Sequence, residues 1–99
     1  MPHATATFNG KVIAETDKFE HVEGNVYFPP DTVDQSVLTK TSLTTVCPWK
    51  GTASYYTISV DGKEAKDAAW YYPDPKTSKA MPLKDHVAFY KSKVDVKSE

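Results

Sequence analysis

Residues 45–56 read Thr-Val-Cys-Pro-Trp-Lys-Gly-Thr-Ala-Ser-Tyr-Tyr, and no other stretch of the chain concentrates so many reactive and recognition groups. Cys47 is the only cysteine, and Lys50 follows three residues later. The thiolate is the reactive form of cysteine and a neighbouring ammonium favours it, which makes Cys47 and Lys50 the candidate catalytic residues. Lys50 could equally orient an anionic group of a ligand. Pro48 fixes its own φ and drives Cys47 toward extended backbone. Gly51 then lets the chain reverse or a neighbour come close. Trp49 and Lys50 are thereby held at a turn, where a scaffold commonly presents function. The plainer reading of Cys47 is a small buried apolar group, as most free cysteines are.

Aromatic residues make a second constellation. Tyr27, Trp49, Tyr55, Trp70 and Tyr72 fall in or beside expected strands. Alternation sets Tyr55 and Tyr56 on opposite faces, and likewise Tyr71 and Tyr72, so one of each pair can enter the core while the other lines a cleft. Rings beside a lysine and several hydroxyls suit a flat or sugar-like small molecule. Taken singly, each ring reads more simply as core with its hydroxyl at the surface. Glu23 and His86 are available for proton transfer. The candidate ligand-binding set is therefore Glu23, Tyr27, Trp49, Tyr55, Trp70, Tyr72 and His86. His21, Glu23, Cys47 and His86 are also metal-ligating types, but close pairs such as C-x-x-C are lacking, and neither a metal nor a cofactor is expected.

The elements that must position these groups are short and alternating. Residues 3–8 and 11–15 flank Asn9-Gly10, a strong hairpin turn, and Asp61-Gly62 marks another after the run 52–60. Strands are expected also at 19–24, 41–46, 68–72 and 94–96. Asp31 and Asp34 give the segment 29–38 helix-start chemistry. Leu83, His86, Val87 and Tyr90 fall at i, i+3, i+4 and i+7, the spacing of one helical face. The expected fold is mainly β: a compact antiparallel two-sheet or partly open barrel structure with one or two short helices. Ninety-nine residues supply one core, so residues 1–99 form a single domain.

Composition excludes several classes. The net charge is −1, and every cation is Lys, with no Arg in the chain. Planar recognition of phosphate and the reading of DNA bases both lean on Arg, so nucleic acid is not an expected partner. No apolar run is long enough to cross a membrane as a helix. The first dozen residues lack the basic start and apolar core of a secretory signal, and one cysteine makes no internal disulfide; a cytoplasmic location is expected.

Four stretches follow one another in order and at a specific spacing: EGNVYFPPDTV, TTVCPWKGTASYYTISVDG, DAAWYYPDPK and HVAFYKSKVDV. Over essentially the whole chain this resembles the domain of unknown function 427 family, small bacterial and fungal domains. The resemblance implies a compact, mainly β domain, sometimes labelled a nucleotidyltransferase domain. The residues themselves do not supply that chemistry: there is no Gly-x-Gly run, no D-x-D pair for Mg²⁺ and no Arg for a triphosphate.

Two functions follow from the residues. The first is a small-molecule-binding domain, with catalysis left open, whose pocket surrounds the CPWKG turn. The alternative is a non-catalytic protein-interaction or structural module that uses exposed aromatics. Where association occurs, a symmetric homodimer through a sheet edge is the expected form.

Overall fold

The computed structural model describes residues 3–99. Among these described residues, nine strands form three antiparallel sheets. Strands β1 (Ala4–Phe8), β2 (Lys11–Thr16) and β9 (Asp95–Ser98) make the first, in the order β2-β1-β9. Strands β3 (Glu20–Val22) and β4 (Asn25–Tyr27) form a small hairpin. The third runs β5-β6-β7-β8 through β5 (Leu38–Cys47), β6 (Gly51–Val60), β7 (Lys63–Tyr71) and β8 (Val87–Phe89). The architecture is mainly β and antiparallel as expected, without a closed barrel. Among the described residues no helix is long and apolar enough to cross a membrane.

Alternation along β6 and β7 explains how the four-stranded sheet is covered on both faces. Tyr56, Ile58, Ala69, Tyr71, Val87 and Phe89 point to one side and join Ala4, Ala6, Phe8 and Ile13 of the first sheet in the main core. Ala53, Tyr55, Trp70, Tyr72 and Ala88 point to the other and gather with Tyr27 and Leu83 in a second cluster. The small hairpin supplies Tyr27, and its chain continues into the edge at β8, where Phe28 and Val87 exchange two 2.8 Å backbone hydrogen bonds.

Three of the tight turns share one backbone solution. Asn9-Gly10, Glu23-Gly24 and Asp61-Gly62 each place both residues at positive φ, near +50° and then near +80°. That geometry matches the right-handed twist of the flanking strands. The NG and DG turns are legible in the sequence; the EG turn uses a residue that this conformation does not favour.

The segments read as helical adopt other forms. Residues 30–32 and 35–37 are single 3₁₀ turns, with Asp34 capping the second through a 3.0 Å bond from Ser36 N–H. The capping chemistry is present, but Asp34 N–H is committed to the Ile13 carbonyl at 2.8 Å, so the chain bonds to β2 instead of winding further. Between 83 and 90, a 3₁₀ turn (Met81–Leu83) gives way to β8. Val87, Ala88 and Phe89 are all buried because that short strand is covered on both faces, which hides its period of two.

The N-terminal strand is tied to β2 by an exposed charge cluster. His3 Nδ1 lies 2.5 Å from Asp17 and Nε2 lies 2.7 Å from Glu15, and these hydrogen bonds, Asp17 first, lift the histidine pKa above its ordinary 6.5. A raised folded pKa gives stabilisation that is complete below pH 6.5 and lost as pH climbs through the folded value. The groups are well solvated, so the effect is small and screened by salt. The midpoint of thermal unfolding is expected to fall slightly as pH rises above 6.5, and the slope to flatten in His3→Gln or in high salt.

Candidate functional site

The β5–β6 connection is a three-residue turn, Pro48-Trp49-Lys50, closed by the Cys47–Gly51 pair. Gly51 sits at φ +111°, and a Cβ there would stand 3.0 Å from the Asp74 carbonyl and 3.3 Å from the Lys76 amide nitrogen. The Pro-rich loop 73–80 is what comes so close. It clamps the turn from outside: Lys76 N–H donates to the Lys50 carbonyl at 3.1 Å, and Thr77 Oγ1 donates to the Trp49 carbonyl at 2.9 Å. With its backbone held by that loop, the turn delivers the Lys50 side chain inward.

Lys50 is only 6% exposed. Its Nζ stands 5.4 Å from the Trp49 ring centroid and 5.6 Å from that of Tyr72, in cation–π range of both. The ammonium forms a short ion pair with Glu23, delivered by the tip of the β3–β4 hairpin. Burial works against the charged lysine, yet the Glu23 carboxylate, followed by Tyr27, Tyr72 and Cys47, outweighs it, and the Lys50 pKa is raised. The Lys50 ammonium holds the Glu23 carboxyl below its ordinary range, first by hydrogen bonding. Glu23 is itself 55% exposed. The pair therefore joins a buried, permanently charged ammonium to a carboxylate at the surface.

The tip that carries Glu23 is fixed from its other side. Lys91 Nζ donates to the Gly24 carbonyl at 2.5 Å. Below the ion pair, Tyr27 is fully buried, and its hydroxyl accepts from Trp70 Nε1 at 3.2 Å. Tyr27 packs edge-on to Trp70, with ring centroids 6.3 Å apart, and lies 6.5 Å from Tyr72. Burial pushes the Tyr72 phenol up to about 12 despite the opposing Lys50 charge. Cys47 is a half-buried free thiol packed against this cluster.

A hydroxyl-bearing rim continues from the cluster. Tyr55 OH lies 2.9 Å from Thr45 Oγ1 and 3.5 Å from Tyr90 OH, and the Tyr90 ring packs 4.7 Å from Trp70. The contact with Tyr55, then burial, pushes Tyr90 up to about 12.

The structure brings together Glu23, Tyr27, Cys47, Trp49, Lys50, Tyr55, Trp70 and Tyr72. It does not bring His86 to them: that ring bonds the Lys84 carbonyl through Nδ1 at 3.0 Å and lines a separate cleft of about 420 Å³ with Asp17, Phe19, Glu20 and Pro29. A second cleft of about 580 Å³ lies over the stacked pair Tyr56–Tyr71, between Lys40 and Asp85, and does not reach the CPWKG turn either. Sequence reasoning missed Tyr90, assigned to a helix face, and Lys91, which carries no local signal. Among the described residues, no three His, Cys, Asp or Glu side chains approach closely enough to hold a metal ion.

These features define a small antiparallel β domain with an ion pair set over a buried aromatic cluster. The chain belongs to the family described as a domain of unknown function, DUF427, whose model matches residues 2–99. A search of curated proteins finds no match.

Two outcomes test the geometry. Gly51→Ala places a methyl group against fixed backbone at an unfavourable φ and is expected to cost about 3 kcal/mol, read from urea unfolding. Cys47, half-covered by the cluster, is expected to react with iodoacetamide more slowly in the folded than in the denatured protein.

Proposed function

We propose that the domain binds a small molecule at the Glu23–Lys50 pair beside the CPWKG turn. The burial of a charged lysine in an aromatic surround carries this reading. A buried ammonium is costly unless compensated, and a hydrophobic side chain of like volume would serve a purely structural position at least as well. The compensating Glu23 is exposed, so the pair stands where a solute can reach it. Lys50 stays cationic across the physiological range and acts as a fixed positive charge, not as an amine nucleophile. Glu23, Tyr27, Trp49, Tyr72 and Cys47 surround that charge, while Tyr55 and Trp70 form the packed floor. The half-buried free thiol fits a reducing, cytoplasmic setting.

A second reading has its own observation. Strand β5 is a ten-residue edge strand, largely exposed from Ser42 to Val46, and it shows Leu43 at 41% and Val46 at 77% exposure. Edges of that kind pair with other chains, which favours an interaction module or an edge-to-edge homodimer. Val46→Lys on that edge would reduce association without touching the Lys50 site.

Lys50→Met separates site from scaffold. The severe cost of breaking a buried pair comes from the charge left stranded inside, and here the group left behind is the solvated Glu23. Methionine retains the packing of the stem, so stability is expected to change by no more than about 1 kcal/mol. Thermal-shift screening of a metabolite library should then yield compounds that stabilise the wild type and not Lys50→Met. Identical responses from both proteins would remove Lys50 from the ligand site.

A further inference from the structure

We infer that Glu23 is a built-in carboxylate that occupies the ligand's place, and that the ligand is a small planar monocarboxylate which displaces it from Lys50. The inference rests on the site reading above and names both its substrate class and its control. Its first support is the way Glu23 is held. Three Xaa-Gly turns among the described residues place Asn9, Asp61 and Glu23 at equivalent positions, at φ 50°, 50° and 54°. Asn and Asp tolerate that conformation and glutamate does not share their advantage. Either shorter residue would suit the turn better, but would fall short of Lys50 by one methylene. The chain thus accepts a less favourable residue to put a carboxylate on this ammonium, as strained positions at working sites do.

The second support is the asymmetry of the pair. Lys50 cannot leave: its backbone is clamped by the loop at Lys76 and Thr77, and its stem is buried. Glu23 can leave, because it is 55% exposed and its carboxylate is readily solvated. Withdrawal of that side chain uncovers one fixed positive charge between the rings of Trp49 and Tyr72. A single ammonium that is neutral when paired with one carboxylate matches a guest of charge −1, and flat aromatic walls match a planar body. Lys79, whose Nζ stands 5.9 Å from the Trp49 ring centroid, is exposed and contributes attraction more than contact.

Glu23→Asn is the decisive variant, since it restores the favoured turn residue while removing the tethered carboxylate. Sodium benzoate is the probe, with acetate and inorganic phosphate as comparisons, followed by calorimetry or by the Trp49 and Tyr72 resonances. Wild type is expected to bind benzoate weakly, Glu23→Asn about tenfold more tightly because self-occupancy no longer reduces the competent fraction, and Lys50→Met in neither background. The unliganded Glu23→Asn protein leaves the ammonium unpaired, so its melting temperature should rise more with benzoate than that of the wild type. Glu23→Gln, which keeps the length and loses the charge, should behave likewise if the Asn variant folds poorly.

Binding by Glu23→Asn alone, with none by wild type at saturating benzoate, would mark a vacancy made by mutation and overturn the inference. Phosphate binding as tightly as benzoate would overturn the ligand class. A screened compound that binds wild type but is lost in both Lys50→Met and Glu23→Asn would overturn displacement while keeping the Lys50 site, making Glu23 a ligand contact. Compounds bound equally by wild type and Lys50→Met would overturn the site reading and this inference together.

Discussion

Two-sided burial of β6 and β7 is the constraint from which the rest of the molecule follows. A strand in a small antiparallel sheet usually keeps one face in water, and its residues then alternate apolar and polar. Here the pairs Tyr55–Tyr56 and Tyr71–Tyr72 are buried on both sides. The main core needs the first sheet to cover Tyr56 and Tyr71, and the second cluster needs another cover for Tyr55, Trp70 and Tyr72. The β3–β4 hairpin provides part of it through Tyr27, and it is joined to the sheet through β8. That demand carries a distant turn over the aromatic cluster and fixes where residue 23 lies.

The ion pair is a consequence of that packing and also completes it. Two hairpin tips, 22–25 and 47–51, come together over the second cluster, and both present charged side chains to the contact. An apolar contact would have closed the gap at lower desolvation cost. The backbone ties do not depend on the charges: the loop 73–80 holds one tip and Lys91 holds the other. The backbone of each tip is therefore held by bonds other than the pair. The same independence separates Lys50, which is fixed at both backbone and stem, from Glu23, which is fixed only at its backbone.

Much of this was legible before any coordinates, for reasons specific to each segment. Asn9-Gly10 and Asp61-Gly62 announce their hairpins because only a few residues accept positive φ at two successive positions. Val-Cys-Pro-Trp-Lys-Gly announces a rigid turn, because Pro48 and Gly51 restrict the backbone in opposite senses. The hairpin at Glu23-Gly24 is less visible because glutamate is an uncommon first residue of such a turn, and the sequence reads residues 19–24 as one strand running through it. The segment around Val87 gave a false helical spacing, since three residues are too few to show a strand period and all three are buried. His86 enters the candidate set as a group able to transfer a proton, but just ahead of β8 its ring lines a different cleft. The gathering of Glu23 with Lys50 was beyond periodicity altogether, because it depends on a contact across twenty-seven positions of chain.

Cys47 and Lys50 were paired at first by proximity in sequence, and the fold gives that proximity a different meaning. A turn that reverses between Cys47 and Gly51 leaves Cys47 half-buried against the second cluster and sends the lysine stem toward the same cluster. The ammonium has a stronger claim elsewhere, in the carboxylate of Glu23. Its nearest ionic partner is therefore an exposed carboxylate contributed by a different hairpin. On the reading proposed above, an anion that displaces Glu23 from Lys50 would meet the rings of Trp49 and Tyr72 first, because those are the groups in cation–π range of the ammonium.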